Sequence, residues 1–173
     1  GNNTAVGYET LRYNTTGGSN TSIGAYSLQA NTTGASNVAN GLSAMITNTT
    51  GSKNIAIGHN ALRLNTTASF NVAVGYEAGY SNVTGIEMVA VGYEALYAST
   101  ATGNTGLGYK AGRNTTGDDN TFVGAFSGFS NTTGSNNSAF GFNSLNSNTT
   151  GAQCSAFGTN VLQAHTEGTY NSA

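Results

Sequence analysis

Glycine recurs along this 173-residue chain at a nearly fixed step: Gly7, Gly24, Gly41, Gly58, Gly75, Gly92, Gly108, Gly124, Gly141 and Gly158. The intervals are 17 residues everywhere except for two of 16, from Gly92 to Gly108 and from Gly108 to Gly124. Each glycine closes the same kind of phrase, a polar residue followed by short alternation and then Gly, as in Asn3-Thr4-Ala5-Val6-Gly7 and Asn54-Ile55-Ala56-Ile57-Gly58. A fixed period of this length means a quasi-one-dimensional fold, whose function is read along an array rather than in one pocket.

The repeat defines one array over 1-173, with units starting near 3, 20, 37, 54, 71, 88, 104, 120, 137 and 154. The first residues of each unit alternate with the period of two expected of a short strand. Their large apolar member precedes the glycine: Val6, Ile23, Ile57, Val74, Val91, Leu107, Val123, Phe140 and Phe157, with Asn40 the one polar exception. These nine residues are expected to form the apolar core ladder, and the ten glycines its structural corners. Three residues past the glycine usually stands a small residue, for example Ser27, Ala44, Ala61 or Ala78. The second half carries Asn-Thr-Thr-Gly at Asn14 to Gly17, Asn31 to Gly34, Asn48 to Gly51, Asn114 to Gly117, Asn131 to Gly134 and Asn148 to Gly151. That phrase reads as a strand end and a turn. The two short units should lose one residue in a turn and leave the apolar stack in register.

A helical reading fails, because Gly and Asn interrupt every 3.6-residue stripe. The fold expected is all-β: a parallel β-solenoid, or β-roll, of about ten 16–17-residue coils, stacked roughly 4.8 Å apart. One coil offers little apolar area against the ordering entropy of its residues. Burial against further copies of the same chain, three around a common axis, would supply more, as a homotrimer or a longer filament.

Composition narrows the function. Only 7% of residues are charged and the net charge is −2, which leaves no basic footprint for nucleic acid. No apolar run is long enough to span a bilayer, so no membrane contact is expected of this segment. The chain opens at Gly1 and stops as another unit begins at Asn171, and it reads as a segment of a longer array.

The phrase Asn-Thr-Ala-Val-Gly-Tyr-Glu-x-Leu, at Asn3 to Leu11, followed by Asn-Thr-Thr-Gly, resembles repeats of phage tail-fibre and bacterial surface proteins. Many of those end in an endosialidase-type chaperone domain. The Ala-Val-Gly and Ala-Ile-Gly endings are also similar to the head repeats of YadA-type trimeric autotransporter adhesins, although the unit here is longer. The resemblance implies a homotrimeric structural or adhesive fibre segment, extracellular, on a virion tail fibre or a cell surface. A cell-surface glycan is then a possible partner.

Chemistry is sparse. No catalytic, cofactor-binding or metal site is expected, and the chain is not read as an enzyme. Glu9, Glu77 and Glu94 share one repeat position; Glu77 and Glu94 on adjacent coils approach the spacing of a glycosidase carboxylate pair, but a convex rod supplies no cleft. The calcium-binding Gly-Gly-x-Gly-x-Asp phrase is absent, and His59 and His165 are far apart in sequence. Cys154 is the only cysteine and reads as a small residue in the array, with no histidine beside it in its repeat phrase to activate it. Asn-x-Ser/Thr sequons recur at Asn14, Asn31, Asn48, Asn65, Asn82, Asn114, Asn131 and Asn148; they read as turn and ladder residues before glycan acceptors. Tyr8, Tyr76, Tyr93 and Tyr109 suit either interchain packing or sugar stacking. Paired threonines such as Thr15/Thr16 and Thr32/Thr33 point to opposite faces, so only one of each pair can serve an outer plane. A lateral glycan- or ice-binding module is therefore the alternative function.

Overall fold

The computed structural model describes residues 1–173. It contains no helix. Ten three-residue strands form one parallel sheet in sequence order: β1 (Thr4–Val6), β2 (Thr21–Ile23), β3 (Val38–Asn40), β4 (Ile55–Ile57), β5 (Val72–Val74), β6 (Val89–Val91), β7 (Thr105–Leu107), β8 (Thr121–Val123), β9 (Ser138–Phe140) and β10 (Ser155–Phe157). Every strand pairs with the next without a slip, so that Val38 faces Ile55, Ile55 faces Val72, and Val89 faces Thr105. The chain is a β-solenoid, one strand per coil, numbered here from the coil that starts at Asn3.

Hydrogen bonding between coils does not stop at the strands. Of 117 backbone bonds only 18 lie within the named elements. Turn segments continue the ladder, with Thr15 N–H donating to Thr32 O at 2.9 Å, Tyr26 N–H to Tyr8 O at 2.8 Å and Leu28 N–H to Ala44 O at 3.0 Å. Thus nearly the whole perimeter of a coil is bonded to its neighbours, which is how so many polar backbone groups are satisfied in so thin a rod.

Each corner glycine has φ between +121° and +145°, a region L side chains rarely adopt. Space closes the position as well. A Cβ on Gly7 would sit 2.6 Å from the carbonyl of Gly24, and one on Gly24 would sit 2.6 Å from Gly41 O. The glycine column is therefore fixed twice, by conformation and by the close approach of consecutive corners. Beyond each corner the backbone alternates into the left-handed region at non-glycine residues too, as at Tyr26 (φ 60°) and Leu28 (φ 48°) or Ser43 (φ 57°) and Met45 (φ 51°). Each such residue costs on the order of 1 kcal/mol, and the bonds of Tyr26 and Leu28 to coils on either side hold it there.

The interior corrects one expectation. The middle residue of each strand after β1 is buried: Ser22, Ala39, Ala56, Ala73, Ala90, Gly106, Phe122, Ala139 and Ala156; Ala5 of the end strand β1 is exposed. The nine residues expected as the core ladder point outward. Val6 (58%), Ile23, Ile57, Val91, Phe140 and Phe157 (60%) are exposed, and Val74, Leu107 and Val123 are half-buried. The cause is width. Across the coil from the strand lie Leu28, Met45, Leu62, Leu96 and Leu145, all fully buried, and the gap left to the strand admits only a methyl or hydroxymethyl group.

Two asparagine columns seal the interior. In the first, the backbone N–H donates to the asparagine side chain of the preceding coil wherever that coil has one, as Asn37 N to Asn20 Oδ1 at 2.9 Å, and the amide donates to a turn carbonyl, as Asn37 Nδ2 to Gly51 O at 2.8 Å. The second is the Asn of Asn-Thr-Thr-Gly: Asn31 donates to Asn14 Oδ1 (2.8 Å), Asn48 to Asn31 (2.8 Å) and Asn65 to Asn48 (2.7 Å). Along most of the column both functions of the buried amide are engaged, but Asn65 Oδ1 and Asn148 Oδ1 have no partner, and an orphaned group of this kind costs about 1–3 kcal/mol.

Both 16-residue units lose their residue in the turn. Ser99 and Thr115 take the places of the second-column asparagines, with Asn131 Nδ2 donating to Thr115 Oγ1 at 2.6 Å, and the strands stay in register. This moves Asn114 out of the ladder position its Asn-Thr-Thr-Gly phrase suggested; it is half-buried instead.

Candidate functional surfaces

The outward residues of the strands make one continuous face. The column before the corner is apolar from end to end except at Asn40. Beside it the first strand residues are apolar in the middle of the rod (Val38, Ile55, Val72, Val89) and Thr or Ser toward both ends. On the other side stands the residue after the corner glycine: Tyr8, Leu42, Tyr76, Tyr93, Tyr109 and Phe142 are exposed. Period-two alternation was visible in the sequence, but both parities satisfy it. The signal that decides is the uniformity of the small residue, which tolerates no large side chain until Phe122.

Within the tyrosine column the rings stack on one another along the rod. Tyr76 and Tyr93 lie 5.1 Å apart at 8°, Tyr93 and Tyr109 5.2 Å apart at 13°, and His59 stacks on Tyr76 at 5.2 Å. Their faces are occupied by each other, so the rod presents ring edges and hydroxyls. Tyr8 stands apart from this stack and meets Tyr26 edge-on.

Charge collects next to that stack on coils five to seven. Arg113 and Lys110 both reach Glu94, the lysine at 3.9 Å. Burial pushes the Glu94 carboxyl up, but the hydrogen bond and charge of Arg113, with the charge of Lys110, outweigh it and leave it below its ordinary range. Asn60 donates to Glu77 at 3.2 Å. A second row runs Arg63, Tyr80, Tyr97, Arg113, with the tyrosines stacked at 5.0 Å and a guanidinium over each outer ring face at 5.7 and 4.7 Å. Glu77 and Glu94 are therefore separately engaged by neighbours within the chain.

Burial of the asparagine columns bears on the sequons. Asn31, Asn48, Asn65, Asn82, Asn131 and Asn148 are fully buried, so a glycan on any of them is incompatible with the folded coil. Among the threonines, Thr15, Thr32, Thr49 and Thr66 donate their hydroxyls to the next coil's carbonyl at 3.0–3.2 Å, whereas Thr16, Thr33, Thr50 and Thr67 are exposed.

In the last coil the structure brings together two residues that sequence spacing kept apart. Cys154 and His165 replace an asparagine in each column, and Cys154 Sγ lies 3.6 Å from His165 Nε2, which is in turn 3.4 Å from Asn171 Nδ2. Cys154 is fully buried. The surface has no cavity, and no three His, Cys, Asp or Glu side chains gather in a metal-binding group. No helix is long and apolar enough to cross a membrane. In comparisons with family models, curated proteins and solved structures, nothing matches this chain.

Proposed function

We propose that this chain is a structural segment of a fibre, in which β-solenoid rods associate side by side as a homotrimer and serve as shaft or adhesive head, displayed on a virion or a cell surface. The supporting observation is the apolar face that runs along all ten coils. A monomer rarely exposes more than about 300–600 Å² of contiguous apolar surface, and a coil whose interior holds an alanine and one leucine-sized side chain gains substantially from covering that face. The role is mechanical: inter-coil hydrogen bonds and asparagine ladders hold a binding tip at a distance, with no chemistry in the segment.

Sedimentation equilibrium and light scattering test this directly. The mass of three chains is expected, and a monomer at micromolar concentration would overturn the reading. The second reading, a lateral glycan-binding module, draws on the charged and aromatic block of coils five to seven, where the chain departs from its own monotony. Deletion of residues 71–103, two whole coils of that block, separates the two: a shaft keeps its tip's binding, whereas a lateral recognition face loses avidity with the coils removed.

A further inference from the structure

We infer that Asn40 is the register pin of the self-associated rod: copies of this chain meet through the outer face of the sheet, parallel and unshifted, with Asn40 against Asn40. The inference rests on the self-association reading above and adds its geometry. Asn40 is the only polar residue in the column before the corner, at the outward third position of β3, between Ile23 below and Ile57 above. Unlike the buried ladder asparagines, it turns its amide outward.

The occupant of the face follows from its size and pattern. The exposed apolar side chains of the three columns present on the order of 1,000 Å², above the roughly 800 Å² per partner that a stable interface buries. The face is as long as the rod, so the partner that covers all of it without a remainder is another rod of the same length, a second copy of the chain. Its register is not fixed by shape, because valine, isoleucine and leucine repeat at every coil and a slip by one coil would bury almost the same area.

Asn40 breaks that degeneracy. In any shifted parallel arrangement it faces an apolar side chain of the partner and leaves a buried donor and acceptor unpaired. An antiparallel arrangement that brings third coil onto third coil overlaps only about half of the rod, forfeiting much of the apolar area. The parallel, unshifted arrangement pairs Asn40 with Asn40 and overlaps all ten coils. Around a rotation axis each amide donates from Nδ2 to the next copy's Oδ1, and the ring closes with every copy equivalent. A lone polar residue in an apolar seam sets register at some cost in stability, as it does in coiled coils.

Cysteine trapping in a Cys154→Ser background tests the geometry. Chains carrying Ile57→Cys should form disulfides with each other under mild oxidation, as should chains carrying Val74→Cys, because like positions meet like and a disulfide does not reach across a one-coil offset. A mixture of Ile57→Cys and Val74→Cys chains, one coil apart, should give like-with-like products only. Adding Asn40→Ile to both members of that mixture should raise thermal stability and bring the unlike product to a level comparable with the like ones. An oligomer in which unlike products already dominate with Asn40 present overturns the inference while leaving self-association intact. So does a mixture whose products are unchanged by Asn40→Ile. A protein that sediments as a monomer overturns the self-association reading and the inference with it.

Discussion

Coils two to four and coils six to eight are built from the same unit, yet they fill their interiors differently. In the former, every coil places a small residue on the strand (Ser22, Ala39, Ala56), a large one opposite (Leu28, Met45, Leu62) and an asparagine in each column. In the latter, the positions trade volume. Gly79 of coil five leaves a gap where the large residue belongs, and Met88 of coil six fills it; a Cβ on Gly79 would collide with the Met88 methyl group. Gly112 and Gly128 leave two more gaps, and Phe122 between them fills both; a Cβ on Gly112 would meet Phe122 Cδ2 at 2.6 Å. Gly106 makes room for Leu96. What is held constant along the rod is the volume of a neighbourhood of two coils, not the residue at a site, as close packing requires.

The largest effect should come from the trade itself. Phe122→Ala opens a cavity beneath two glycines and is expected to cost about 3–5 kcal/mol, read as a fall in denaturation midpoint. Restoring leucine at Gly112 and Gly128 in that variant should recover much of the loss, because Leu28 and Leu96 already adopt the same left-handed conformation; no recovery would show that the two regions do not share one packing rule. Next comes a position both regions share. Gly58→Ala places a Cβ against the carbonyl of Gly75 at φ +133°, for about 2–4 kcal/mol of strain and displacement, and Gly108→Ala should cost as much despite the short coils around it.

The asparagine columns should separate the regions again. Asn48→Ala deprives Asn31 Oδ1 of its donor and leaves Gly51 O with only that of Asn37, and is expected to destabilise by about 1–3 kcal/mol, with urea titration as the measurement. Ser99→Ala, which removes one long 3.4 Å contact from Asn104, should stay within about 1 kcal/mol. Smallest is the pH effect of Glu94. Its folded pKa is depressed, so its contribution is present above the unfolded value near 4.3 and is lost as pH falls through the folded one. Stability of the wild type should therefore drop slightly more than that of Glu94→Gln below about pH 4.3; equal slopes would show that the pairing with Arg113 contributes nothing.

The period, the coil length, the strand positions and the corner glycines were legible from the amino-acid sequence, because each is a local requirement repeated ten times. Parity was not. Val-Ala-Val reads equally well with valine inside or alanine inside; the narrow gap to Leu62 and its equivalents across the coil decides, and its one trace in the sequence is the uniformly small middle residue. Asn114 was misplaced for a related reason: its Asn-Thr-Thr-Gly phrase is intact, but the lost residue shifts which of its members meets the column. The contact of Cys154 with His165 lies 11 residues apart within one coil, a separation that means nothing until the two asparagine columns are known to face each other. The face that carries the proposed association was legible only as a list of apolar residues, assigned to the wrong side of the wall.

Because inter-coil hydrogen bonds run along the rod, tension applied at its ends would act on one coil boundary at a time rather than on the sheet as a whole. A coil that lets go would release about 17 residues, some 55–60 Å of extended chain, in exchange for the roughly 5 Å it occupied in the stack. The rod is thus a wound reserve of length, able to yield in discrete steps of about 50 Å while the coils beyond the break stay folded.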